Sequence, residues 1–229
     1  MECRITRRQF LAVGATGCLM ALVGCGSSGQ SRSGETASAE QAASTAAASR
    51  SAAGDVTASS QKTASSKILV VYFSYTGHLD TMAHWVADET GGDLVRVTAV
   101  DAYPDDYDAT VDRAKAEQDE GARPAIDVNL TPGQLEGYDT VFIGFPVWWY
   151  DLPMPMCTFL EGNDVSGKTI VPFFSHEGSA NGANALPNLE ALAKGATVRS
   201  QDALSIHGDD VNGSESAVRT WVTDLGYSK

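Results

Sequence analysis

The chain has 229 residues, 43% of them hydrophobic and 20% charged, enough for one domain of ordinary size with a single core. Its formal net charge of -13 argues against a nucleic-acid partner, because phosphates would be repelled rather than neutralised. Of its four cysteines only Cys157 lies beyond residue 25, which excludes an internal disulfide or a multi-cysteine metal site from there on. Cys157 reads as a small buried hydrophobe.

The first 66 residues read as targeting and tether rather than fold. Thr6-Arg7-Arg8-Gln9-Phe10-Leu11 precedes an apolar run to Gly24 that is too short to span a membrane as a mature helix. It resembles a twin-arginine export signal, and Leu22-Val23-Gly24-Cys25 resembles a lipobox. Residues 1–24 are thus expected to be a cleaved signal peptide, with Cys25 the lipid attachment point outside the cytoplasmic membrane. Residues 26–66 contain 12 Ser and 11 Ala with almost no large apolar side chain. Such a segment buries too little surface to offset its ordering entropy, so residues 25–66 are expected to form a disordered tether.

From Lys67 the pattern changes. Ile68 to Phe73 is a continuous apolar run suited to a strand covered on both faces. Leu79, Met82, Ala83, Val86 and Ala87 then mark one face of a helix ending near Gly91-Gly92. Further strands are predicted at Asp93 to Thr98, Thr140 to Phe145, Thr169 to Phe174 and within Thr197 to Ile206. Helices are predicted at Pro153 to Glu161, Ala185 to Lys194 and Ser214 to Leu225, with an acidic helix near Asp106 to Glu120 and an irregular connection after it. Alternating strands and helices joined by right-handed crossovers give a parallel sheet between helical layers, with ligands at the carboxyl ends of the strands.

Three of those ends carry chemistry. Ser74-Tyr75-Thr76-Gly77-His78-Leu79 offers hydroxyls, a glycine and the exposed amides of a helix N-terminus, the parts of a phosphate cradle and equally of an ordinary helix cap. Pro146-Val147-Trp148-Trp149-Tyr150 brings three adjacent aromatics able to stack on a flat ligand, and at least one of them is expected to pack beneath the loop. Ser175-His176-Glu177-Gly178-Ser179 can meet the polar edge of a ring. Together they describe a mononucleotide with a flat polar base.

With these motifs the sequence over 67–229 resembles the flavodoxin-like family, particularly its short single-domain members. The resemblance rests on Tyr72-Phe73-Ser74-Tyr75-Thr76-Gly77, on Pro146-Val147-Trp148-Trp149, and on Pro172-Phe173-Phe174-Ser175-His176-Glu177-Gly178-Ser179. It implies an α/β three-layer sandwich with a five-stranded parallel sheet in order 2-1-3-4-5 and FMN at the strand ends. It also implies that Ser74, Thr76, Gly77 and the amides of His78 and Leu79 hold the phosphate, with Tyr75 a further cofactor-binding residue of that loop. The loops carrying Pro146, Val147, Trp148 and Trp149, and Ser175, Glu177 and Gly178, would then hold the isoalloxazine. Where the family has Asn-Thr after Thr-Gly, this chain has His78 and Leu79; Asp80 adds an anion, and Tyr150 stands where Gly is common. His78 is left as a possible source of compensating charge.

A receiver domain would need an aspartate at the end of the third strand, where Phe145-Pro146 stands, and a serine hydrolase would need a G-x-S-x-G elbow, which is missing. The reading is therefore an FMN-binding electron-transfer protein, either a carrier or a small flavin reductase, with a redox protein or a small acceptor such as a quinone as partner. A cofactor-free binding module of the same fold is the alternative. No side chain is assigned as a general acid or base.

Overall fold

The computed structural model describes residues 67–229. The signal peptide expected over residues 1–24, the expected lipid attachment at Cys25 and the tether expected over residues 25–66 lie outside the described residues. The described part begins with β1 (Ile68–Phe73), α1 (His78–Thr90), β2 (Asp93–Ala99), α2 (Tyr107–Glu120) and a short β3 (Ile126–Val128). There follow β4 (Thr140–Pro146), α3 (Met154–Gly162), β5 (Thr169–His176), α4 (Ala185–Leu192), β6 (Thr197–Val198), β7 (Leu204–His207) and α5 (Glu215–Asp224).

The sheet runs β3-β2-β1-β4-β5-β6, with β7 also paired to β5. The β2, β1, β4 and β5 strands are parallel in the expected order. Two features correct the expected five-stranded parallel sheet. β3 adds an antiparallel edge to β2, three residues long, in what reads from sequence as an irregular connection. The fifth strand is broken: a 3-10 turn at Ser200–Asp202 separates β6 from β7, and each pairs separately with β5. Among the described residues the sheet therefore has seven strands and is mostly parallel.

Alternation along each strand divides the core. In β1, Leu69, Val71 and Phe73 enter one cluster with Phe159 and Leu160 of α3 and Leu189 of α4. Val70 and Tyr72 enter the other with Leu79, Met82 and Val86 of α1 and Val218 and Val222 of α5. Two-residue periodicity in the strands and 3.6-residue stripes on the helices thus bury a layer on each face of the sheet. Burying a Val, Leu, Ile or Phe side chain is worth roughly 1.5–3 kcal/mol. Cys157 sits in the first cluster, where burial pushes its thiol up to about 11, so it is an inert packing residue as expected. Both α1 and α2 end on a left-handed glycine, Gly91 and Gly121, and α2 begins with Asp106 accepting a hydrogen bond from the Ala109 amide.

Candidate functional site

Between β1 and α1 the chain turns through Ser74 to Gly77. Gly77, at φ 94°, is the N-cap of α1 and no side chain caps the helix; a side chain there would be forced into the left-handed region. Its N–H donates instead to Ser74 Oγ at 3.2 Å. The first-turn amides of α1 are thus left to an incoming anion. Ser74 is buried, Thr76 exposed, and the Leu79 side chain lies in the core, so Leu79 can offer only its backbone. Tyr75 anchors the loop by donating from its hydroxyl to Pro104 O at 2.7 Å.

Beneath this loop lies a polar cluster. The register of β1 with β2 sets Tyr72 beside Arg96, and the first turn of α1 brings Asp80 to both. Tyr72 OH donates to Asp80 Oδ1 at 2.6 Å. Arg96 Nη1 lies 3.5 Å from that oxygen, and Nη2 donates to Ser74 O at 3.0 Å. Burial, and then the bond to Asp80, push the Tyr72 hydroxyl well above its usual range, so it stays protonated as a donor.

After β4, Trp148 and Asp151 exchange backbone hydrogen bonds of 3.0 and 2.9 Å around a two-residue turn. Trp149 and Tyr150 occupy it with φ 48° and 65°, positions that favour Gly or Asn. The strain is held by attachments on both sides. Trp149 Nε1 donates to Val111 O of α2 at 3.1 Å, and the Asn184 amide donates to Tyr150 O at 2.8 Å. Trp148 packs edge-on against Phe73, Tyr75 and Tyr103 with centroids 5.1 to 6.0 Å apart. It is the aromatic beneath the loop, while Tyr150 is 64% exposed.

β5 runs two residues beyond the sequence expectation, so Ser175 and His176 are strand residues and not loop. This follows from their pairing with Ile206 and His207 of β7. His176 is only 9% exposed, and its Nδ1 has no hydrogen-bond partner among the described residues. Burial, followed by the neighbouring His207, lowers its pKa below the usual 6.5. His207 Nε2 stands 3.7 Å from Glu177 Oε2. The space before Gly208 is filled by Glu177 and His78: a Cβ there would collide with the carboxylate and come within 3.1 Å of the imidazole. His78 therefore reaches toward the β5–β7 end of the site.

These three ends open on one cavity of about 430 Å³. Tyr75, Thr76, His78, Pro146, Val147, Trp148, Trp149, Ser175, Glu177 and Gly178 all line it, whereas the candidates Ser74, Gly77 and Leu79 stand outside its lining. Four lining residues escape the strand-end argument because they come from a helix: Tyr107, Thr110, Val111 and Ala114 of α2. Their spacing, i, i+3, i+4 and i+7, is a readable signal on an otherwise acidic helix. His176, Tyr150 and Ser179 complete the wall.

The sequence profile of a family described as "Flavodoxin" matches residues 67–225. The chain belongs to the flavodoxin family. A candidate flavoprotein from Bacteroides eggerthii DSM 20697 shares 30% identity over 70% of this chain and 98% of its own, with a TM-score of 0.57. One from Bacteroides uniformis ATCC 8492 shares 30% over 69% and 98%, at 0.58. A flavoprotein solved in complex with FMN from Lactobacillus acidophilus NCFM shares the fold at 23% identity, over 66% and 99%, with a TM-score of 0.52. The curated relative "NAD(P)H dehydrogenase (quinone)" of Acidovorax ebreus (strain TPSY) is 33% identical over 98 residues, 42% of this chain and 46% of the relative. The chain thus spans about half the length of that curated relative.

In this flavodoxin the residues that depart from the family motif have structural partners. Asp80 is bonded to Tyr72 and Arg96, His78 stands against Gly208, and Tyr150 takes its left-handed conformation in a turn fixed from α2 and from Asn184.

Proposed function

We propose that this flavodoxin is an FMN-binding electron-transfer protein that works outside the cytoplasmic membrane. The carrying observation is the single cavity onto which an uncapped helix N-terminus, an aromatic turn and a polar strand end converge. The donor set suits FMN: the first-turn amides of α1 with Thr76 for a phosphate, Trp148 and Trp149 for a flat ring, and Ser175, Glu177 and Gly178 for its polar edge. The orphaned His176 Nδ1 adds a buried polar atom at the cavity wall. When bound, FMN supplies reversible one- and two-electron transfer. The protein's part is to hold the phosphate at α1 and the ring beside the Trp148 turn, and to keep water from the face that α2 covers.

Export and anchoring rest on the twin arginines Arg7 and Arg8 and the lipobox cysteine Cys25. A route that carries folded protein lets the cofactor load before transfer. The acceptor is a redox protein or a small molecule, and the similarity to a quinone-acting dehydrogenase over 98 residues favours a quinone. The test is the visible spectrum of the purified protein: a yellow protein releasing FMN on denaturation supports the reading. A colourless one that fails to quench added FMN fluorescence supports a cofactor-free binding module. Arg7→Lys with Arg8→Lys should stop export and Cys25→Ala should release the protein from membranes, both read by fractionation.

A further inference from the structure

In a helix whose third residue is an aspartate, the carboxylate ordinarily turns back toward the open amides of the first turn. In this chain such a group would compete with a bound phosphate, charge against charge. Asp80 occupies that position on α1 but faces elsewhere. One oxygen accepts from the Tyr72 hydroxyl at 2.6 Å and lies 3.5 Å from Arg96 Nη1. The N-cap amide it might have taken belongs to Ser74 Oγ. Arg96 has a second task, since its other amino group donates to Ser74 O at 3.0 Å, in the loop itself. One guanidinium from β2 thus bridges the anion on the helix and the backbone of the cradle. His84 also lies near, with Nδ1 3.7 Å from Asp80 Oδ2 and 2.7 Å from Asp80 O, on the exposed side of α1.

We infer that Arg96, with Tyr72, is a positioning residue for phosphate recognition: it takes up the charge of Asp80 and leaves the α1 N-terminus positive enough to hold the phosphate of the mononucleotide. The role left for His78 by the sequence passes to Arg96, because His78 is turned toward Gly208. The assignment rests on the flavin reading above. It also accounts for an aspartate in the first turn of a helix that receives an anion: Asp80 fixes Arg96 under the loop, and Arg96 cancels its charge.

The experiment is a fluorescence-quenching titration of the full chain with FMN and with riboflavin, which lacks the phosphate. Arg96→Gln should raise the FMN dissociation constant about tenfold, the change that accompanies roughly 1.4 kcal/mol, and leave riboflavin within about twofold. Adding Asp80→Asn should recover most of the FMN affinity, since the charge that Arg96 balanced is then gone. Tyr72→Phe, which removes the other partner of Asp80, should weaken FMN selectively and by less. Equal weakening of both flavins, or no recovery with Asp80→Asn, overturns the assignment and reduces Arg96 to a structural support. Wild-type protein that binds riboflavin as tightly as FMN overturns it too, leaving the flavin site standing. Wild-type protein that binds neither overturns the flavin reading and this inference with it.

Discussion

At one end of the cavity the Ser74–Gly77 loop is shaped by a glycine at φ 94° and by polar bonds to Pro104 and Arg96. At the other, the Trp148–Asp151 turn places two bulky residues at positive φ and is fixed by ring packing and by bonds from its neighbours. The first conformation comes cheaply because the glycine carries no side chain to strain. The second is costly, of the order of 1–3 kcal/mol for each strained residue, and is kept only because the surroundings over-determine it. An anion cradle needs open amides, whereas an aromatic wall needs rings that do not turn.

The contrast can be broken most severely at Trp148. Trp148→Ala removes three edge-on contacts and should cost about 3 kcal/mol of stability, seen as a lower urea midpoint, while weakening FMN and riboflavin alike. Gly77→Ala should cost less, about 1–2 kcal/mol, since the space a Cβ would enter is free. Its loss of affinity should fall on FMN rather than riboflavin. Trp149→Phe keeps the ring but deletes the bond to Val111 O, and a loss of about 1 kcal/mol is expected in the same denaturation measurement. A loss as large as that of Trp148→Ala would mean that the α2 attachment, and not the ring cluster, holds the turn.

The smallest effect belongs to acid conditions. His176 has a lowered pKa in the folded state, so below about 6.5 the unfolded chain binds a proton that the folded chain resists. Its contribution is complete above that value and is lost as the pH falls through it toward the lowered folded value. His176→Gln should flatten that part of the stability–pH curve, measured by denaturation from pH 7.5 to 5. An unchanged slope would place the proton uptake elsewhere.

What could be read in advance follows the strength of each local signal. β1, β4 and β5 are apolar runs buried on both faces, and α1 and α5 carry full stripes, so their sequences leave few alternatives. β3 has three residues, too few for an alternation to register, and exists because β2 offers it an edge. The break in the fifth strand depends on a turn at Ser200–Asp202 whose Asp202 carbonyl accepts from Trp221 Nε1 at 2.8 Å, a tertiary contact invisible along the chain. At the site, the glycine loop and the aromatic triplet were legible by composition. Ser175 and His176 read as loop because polar residues usually end a strand, yet pairing with β7 carries them on. The α2 wall lies on a helix face and not at a strand end, and its only trace along the chain is the Tyr107, Thr110, Val111 and Ala114 stripe.

The interrupted fifth strand also bears on how copies of this protein meet. A sheet margin with a long unbroken row of free amides and carbonyls invites a neighbouring molecule to add itself as a further strand. Here one margin is the three-residue β3, and the other is split into β6 and β7 by a turn fastened to α5 through Trp221. Among the described residues neither offers a straight ladder of useful length. The same irregularities that obscure the sheet in the sequence therefore protect the folded domain against edge-to-edge polymerisation, even where many copies are crowded together.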